Sequence, residues 1–350
     1  MSQQTTTQPD PSKIMQIGLG YWLSKALLAA VKYRVFTLLA GTKLSGKEIK
    51  QKLSLKATDR HVYDWLDTLV SVGFLNRDGV MDTAAYSNSI DTETFLDRNK
   101  PSYIGGILEM GNNRLYRFWG DLEEGLLTGK QQNEGKEGGD SNMAFFTDLY
   151  KDPEKLQEFM DAMTGIQLGN FIMLCKKFDF GQYKTLLDLG GADGTLTIHV
   201  CQQYPNIRCT CFDMPPVEPI AKKKIAKAGL SDRIQFIGGD FLKDQLPKAD
   251  IVTMGNILHG MEEETKQELV NKVYSLLPSG GAMMTIENII DDDRRQNTFG
   301  MLMSLNMLIE NGDAFDYMPS DFNRWAGKAG FKKTEIVPLA GPTSAAVAYK

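Results

Sequence analysis

The sequence predicts an α/β protein: a doubly wound parallel sheet with a terminal antiparallel hairpin, preceded by a helical, winged-helix-like domain. Three observations carry this. From residue 184 onward short apolar strands alternate with helical segments, the order that crossover helices impose on a parallel sheet. The chain closes on "FKKTEIVPLAGPTSAAVAYK", two short strands about a Gly341–Pro342 turn. The first hundred residues read as helices followed by a small β element.

Taken in order, "MSQQTTTQPDPS" (1–12) has neither the basic nor the apolar region of a secretory signal and reads as a disordered tail. Residues 13–100 form the expected dimerisation domain. In "GYWLSKALLAAVKYRVFTLL", Trp22, Leu23, Ala26, Leu27, Ala30 and Val31 recur at helical spacing, which predicts an amphipathic or largely buried helix. Ser45 with Glu48 is a capping-box pair opening a second helix. Val62, Trp65, Leu66, Leu69 and Val70 share one face of a third, and the Asp78–Gly79 pair after it suits a hairpin turn. Residues 101–180 read as a central helical region that encloses substrate, interrupted by a polar Gly-rich loop at 128–142. Residues 181–350 form the sheet domain.

Composition narrows the function. The 350 residues are 42% hydrophobic and 24% charged with a net charge of -5, an ordinary soluble globular balance and a poor one for a phosphate-backbone partner. The would-be recognition helix of the winged-helix domain holds Asp59, Asp64 and Asp67 against Arg60, which weighs against DNA binding and for dimerisation or substrate enclosure. No apolar run approaches the ~20 residues of a membrane span. Cys209 and Cys211 alternate on one strand face without a second cysteine pair or a neighbouring histidine. Reduced buried thiols in a cytoplasmic protein are therefore expected, and no metal site.

The turn "LLDLGGADGT" (186–195) is the strongest local signal. At the carboxyl end of a parallel strand, Gly190, Gly191 and Gly194 let the backbone approach a ligand, with Asp188 just before them. Asp213 ends the next strand and suits the two ribose hydroxyls of an adenosine. Asp240 ends the one after and suits an exocyclic amine, with Phe241 against the ring. NAD and S-adenosylmethionine (SAM) both carry adenosine. The terminal hairpin, the lack of G-x-G-x-x-G and a loop without Lys or Arg favour SAM, which needs no pyrophosphate cradle. Met214 and Asn256 complete the expected cofactor-binding set.

His259 follows the fourth strand in "IVTMGNILHG". A histidine beside an apolar run is commonly a structural residue, but this one stands at the edge where the cofactor would lie. Glu287 ends the neighbouring fifth strand, about 4.8 Å away across a sheet, and Asp316 precedes the last helix of the domain. An imidazole held by carboxylates is equipped to take a proton from a hydroxyl.

In order and spacing, "LLDLGGADG", "FDMP", "GGDF", "ILHGMEEE", "LLPSGGAMMTIEN" and "DFNRWAGKAGF" resemble the SAM-dependent O-methyltransferases of the plant caffeate and bacterial polyketide or phenazine type, across essentially the whole chain. The resemblance implies a Rossmann-like SAM-methyltransferase sheet, a homodimer, S-adenosylhomocysteine as product, and a small hydroxylated, aromatic or polyketide-like acceptor. It places the cofactor loop on Gly190, Gly191 and Gly194, the ribose acid on Asp213 and the adenine contacts on Asp240 and Phe241. The general base falls on His259, its orienting acid on Glu287, and the second acid, normally Glu, on Asp316. Three other positions depart from the family: Gly260 and Met261 stand where Asp and an aromatic are usual, and Gly255 where plant members carry Lys. Met160, Met163, Asn306 and Met307 are the expected acceptor-side residues, with Trp119 nearby in the chain's central helices. The same fold also hosts C- and N-methyltransferases and non-methylating relatives of decarboxylase or pericyclase type, and a winged-helix regulator is the more distant reading.

Overall fold

The structure, a computed structural model, describes residues 9–136 and 149–350. Residues 1–8 of the expected tail and 137–142 of the expected polar loop lie outside the described residues. Two compact units divide between Leu115 and Tyr116.

The first unit opens with helix Ser12–Gly18, whose Ile14 and Ile17 are exposed. Helix Gly20–Lys32 follows. It buries Ala30 and Val31 but leaves Trp22 60% exposed, so the expected inward stripe holds only at its C-terminal end. The apolar run also does not continue as one helix. Arg34 adopts a left-handed φ of 56°, which breaks the helix and restarts it as Val35–Leu38. Helix Gly46–Lys52 carries the predicted capping box, with Ser45 accepting from Glu48 N and Glu48 accepting from Ser45 N. Helix Asp59–Ser71 packs Val62, Leu66 and Leu69 into a core with Phe36, Ile49 and Tyr86. Its acids are engaged: Asp59 with Lys50, Asp64 with Arg60, Asp67 with Arg77.

Strands β1 (Leu44–Ser45), β2 (Leu75–Asp78) and β3 (Ala85–Asn88) form a small antiparallel sheet in the order β1-β3-β2. Asp78 pairs with Ala85, so the connection spans residues 79–84 instead of a two-residue Asp-Gly turn. Gly79, at φ 80°, starts it, and a 3-10 turn over Met81–Thr83 supplies the rest.

The second unit is built on a seven-stranded sheet. β4 (Thr185–Leu189), β5 (Arg208–Asp213), β6 (Ile234–Gly238), β7 (Ile251–Gly255) and β8 (Ala282–Glu287) run parallel; β9 (Lys333–Pro338) and β10 (Ser344–Tyr349) form the antiparallel hairpin. The order is β6-β5-β4-β7-β8-β10-β9. Direction of strand order reverses between β4 and β7, and the β4 end is therefore the switch point at which such sheets bind ligands. The sheet is buried on both faces. Leu186, Cys209, Cys211 and Met284 look toward one apolar cluster, Leu187, Val252, Met283 and Ala346 toward the other.

Helix Pro153–Lys177 is capped by Asp152, which accepts from Glu154 N and Lys155 N, with Pro153 at the first position. The start of the polar loop is not a solvated connection. Gln131, Gln132 and Asn133 are buried, and Gln132 N and Asn133 Nδ2 donate to Ile309 O and Glu310 O at the end of helix Thr298–Asn311. No single helix among the described residues is long and apolar enough to cross a membrane.

Candidate active site

The turn after β4 folds over the end of β5. Gly190 N and Gly191 N both donate to Phe212 O, at 2.9 and 3.2 Å. Gly190 and Gly194 hold φ of 67° and 79°, a region that side chains disfavour. Gly191 is required by space: a Cβ there would lie 2.6 Å from Cys211 Sγ and 3.0 Å from Asp188 Oδ2. Gly194 hands the chain directly to helix Thr195–Gln203.

Four acids surround this turn. Asp213 Oδ2 accepts from Ala192 N at 2.8 Å and its Oδ1 from Met214 N at 2.7 Å, which ties the end of β5 to the loop. Burial raises its pKa to about 6 against those two bonds. Asp188 accepts from Thr253 Oγ1 on the paired strand at 2.7 Å. Burial raises it to about 7, and Asp213 and Asp193 push the same way. Asp193, nearly inaccessible, collects Thr164 Oγ1 at 2.6 Å, Lys224 Nζ at 2.5 Å, and both Thr195 N and Oγ1. Asp240 has its carboxylate on Leu242 N and Lys243 Nζ. The Phe241 segment is held from behind by Lys272 Nζ, which donates to the carbonyls of Phe241, Leu242 and Asp244. Tyr150 stands close enough to feel the charge of Asp213 and Asp240.

His259 sits in a 3-10 turn, Leu258–Gly260, just beyond β7 and 9% exposed. Asn256, at φ 53°, turns the chain into it. The turn is anchored by Glu287: Oε1 accepts Ile257 N at 2.8 Å and His259 N at 3.2 Å. Glu287 was expected to reach the imidazole. It bonds the backbone that carries the imidazole, because the end of β8 lies beneath the turn. The acid facing the ring is Asp316, whose Oδ2 is 3.5 Å from His259 Nδ1. That is an ion-pair distance, longer than a hydrogen bond. Burial alone would lower the His259 pKa, but Asp316 and then Glu287 outweigh it and the net shift is upward. Burial shifts Glu287 upward too. His259 Nδ1, Glu287 Oε2 and both Asp316 oxygens are buried without a hydrogen-bond partner among the described residues, a cluster of open polar valences at one point in the fold.

The two halves of the site touch through Ile257. A Cβ on Gly190 would lie 2.3 Å from Ile257 Cδ1, so the glycine turn and the histidine turn pack directly on each other. On the opposite side of the histidine turn, Gly260 O accepts from Asn311 Nδ2 at 3.2 Å. Five residues earlier, Asn306 Oδ1 accepts from Trp119 Nε1 at 2.9 Å, with Met303 Sδ against its amide. Met307 is buried on the same helix and Met163 half-buried. Met160 is buried in the apolar cluster with Leu156 and Leu174.

Residues 119–332 match the O-methyltransferase domain family, and residues 15–98 the O-methyltransferase dimerisation domain. The chain belongs to the O-methyltransferase family. The tetracenomycin polyketide synthesis 8-O-methyl transferase TcmO of Streptomyces glaucescens is 35% identical to this O-methyltransferase over 340 residues, 97% of each chain. The N,N-dimethyltransferase OxyT of Streptomyces rimosus is 29% identical, over 91% of this chain and 90% of its own. Human N-acetylserotonin methyltransferase, solved in complex with SAM, superposes with a TM-score of 0.88 at 26% identity and covers 99% of both chains. SAM is the methyl donor of this family, and a hydroxyl on a small metabolite its acceptor.

Several residues of this O-methyltransferase's site escape sequence reasoning. The Asp193–Lys224–Thr164 contacts join residues far apart in the chain, and no local pattern announces them. Lys272 and Tyr150 are equally silent. Lys266 does leave a signal: it falls at helical spacing with the buried Leu269, Val270 and Val273, which puts a lysine on an inward stripe.

Proposed function

We propose that this chain methylates a hydroxyl of a small aromatic or polyketide-like acceptor, with His259 as general base, Asp316 facing its imidazole and Glu287 fixing the turn that carries it. The observation that supports this most is the Ile257–Gly190 contact, which sets a buried, carboxylate-faced imidazole beside the glycine turn at the sheet's switch point.

The residues at the β4, β5 and β6 ends suit SAM. Gly191 leaves a cradle that a Cβ would fill. Asp213, half-buried, retains lone pairs for a ribose diol beyond its two backbone bonds. Asp188, Gly190, Gly194, Met214, Asp240, Phe241 and Asn256 complete the proposed cofactor contacts. When bound, SAM supplies an electrophilic methyl group on a sulfonium. The chain's own part is to bring the acceptor oxygen into line with it and remove the proton. With Nδ1 turned to Asp316, Nε2 is the nitrogen available to accept the hydroxyl proton. The imidazolium so formed is stabilised by Asp316 and Glu287. Burial of His259 keeps bulk water from competing for that nitrogen. Proximity then contributes much of the rate. Met160, Met163, Asn306 and Met307 are assigned to the acceptor side, where Trp119 fixes the Asn306 amide.

The assembly we propose is a homodimer formed through the N-terminal unit, in the cytoplasm, without nucleic-acid or membrane partners. The net charge of -5 and the paired acids of helix Asp59–Ser71 support the absence of a nucleic-acid partner.

A mass-spectrometric screen of phenols, enols, carboxylates and amines with SAM tests the reading. Expected are products heavier by one CH2 unit on oxygen, S-adenosylhomocysteine in equal amount, and loss of both in His259→Ala. Methylation confined to nitrogen or carbon would overturn it, as would full turnover by His259→Ala.

A further inference from the structure

Lys266 is fully buried on helix Glu263–Leu276. Its Nζ donates to Met261 O, the residue just past the His259 turn, and stands 3.5 Å from the ring centroid of Phe315, the residue just before Asp316. One ammonium thus touches both segments whose mutual placement sets the His259–Asp316 distance. The Trp325 ring lies farther off, at 5.9 Å. A buried ammonium with one carbonyl and two ring faces among the described residues is only partly compensated by those contacts, so its retention calls for another partner.

The charges around it supply one. Glu263, Asp321, Glu287 and Asp316 all act electrostatically on Lys266, and Lys266 in turn lowers the proton affinity of His259. Glu263 and Asp321 are already answered by Arg324, which bonds both. That leaves Glu287 and Asp316, two buried carboxylates with three oxygens lacking hydrogen-bond partners. With neutral His259, these two acids and one ammonium sum to a single negative charge. Proton uptake by His259 brings the cluster to neutrality.

We propose that Lys266 is a positioning residue for the methyl transfer: it pins the His259 turn against the Asp316 segment and supplies the charge that leaves the cluster neutral once His259 has taken the proton. Without it both carboxylates would act on His259 unopposed, and the imidazole would hold a proton to higher pH. This rests on His259 being the base.

The test compares the pH dependence of kcat/KM in wild type, Lys266→Met, Lys266→Gln and Lys266→Arg, with His259→Ala in parallel. For the two neutral variants the acid limb should move upward by about one pH unit, with SAM affinity unchanged, whereas Lys266→Arg keeps the limb near wild type. A purely structural lysine would lower activity evenly at every pH. An unmoved limb in folded Lys266→Met, or an equal shift in Lys266→Arg, overturns the proposal. In the wild-type protein the Lys266 Cε resonance should titrate well below the 10.5 of a free lysine; titration at the ordinary value overturns it even if no variant folds. Full turnover in His259→Ala would instead overturn the assignment of the base.

Discussion

Asp316 Oδ2 stands 3.5 Å from His259 Nδ1, with the aspartate side chain 1% and the histidine side chain 11% exposed. At that range and burial the acid raises the histidine's proton affinity more than any other group does. Asp316→Asn removes the charge and keeps the shape. The His259 pKa then falls, and with His259 as the proposed base, active when neutral, the acid limb of the kcat/KM profile should move to lower pH. In the wild type that limb should lie above the 6.5 of a free imidazole, because Asp316 and Glu287 outweigh the burial of His259. The plateau itself should drop roughly tenfold, because the imidazolium formed in the reaction loses its partner. A rate–pH profile of the variant against wild type checks both effects.

Glu287 acts through backbone, and the prediction for it differs. Glu287→Ala leaves Ile257 N and His259 N buried without an acceptor, at about 1–3 kcal/mol each. Thermal unfolding should move down by several degrees and turnover should fall together with it. Glu287→Gln keeps an oxygen for both N–H groups, so calorimetry should find its melting temperature close to wild type while turnover still falls.

Asp213 joins the loop to the end of β5 and is assigned to the ribose. Asp213→Ala should weaken SAM binding about 10- to 100-fold, the range of one or two hydrogen bonds to a charged group. Isothermal titration measures it directly, and an unchanged affinity would remove Asp213 from the site.

Gly191→Ala forces a methyl group to within 2.6 Å of Cys211 Sγ. Overpacking of this kind costs about 1–3 kcal/mol, and the strain falls on the loop that carries Ala192 N. Both a lower melting temperature and a weaker SAM affinity are expected. A Gly191→Ala, Cys211→Ala double variant should recover part of each, which ties the loss to that one contact.

The sheet was legible because each strand and helix declares itself within a dozen residues, through apolar runs, glycine turns and caps such as Ser45–Glu48. The placements of Gly190, Asp213 and His259 followed from those same local rules, since strand ends in a parallel sheet share one edge. What stayed hidden depends on partners distant in sequence. Nothing around Glu287 says that its carboxylate turns to backbone N–H groups instead of an imidazole; only the height of the turn above β8 decides that. Gln131, Gln132 and Asn133 look like solvent residues until the carbonyls at the end of helix Thr298–Asn311 are in place to receive them. Arg34 broke a run of unbroken helical periodicity because a single left-handed residue redirects a chain without altering its hydrophobic pattern.

Gly260 occupies the place where the wider family usually carries an aspartate. It does not need to be glycine: its backbone is outside the left-handed region, and a Cβ there would meet only Asn311 Nδ2, at an ordinary 3.7 Å. What the glycine withholds is therefore a functional group, not room. A hydroxyl, amide or carboxylate can be installed in sequence beside His259 without displacing the backbone, and the two bonds by which Glu287 anchors the turn stay as built.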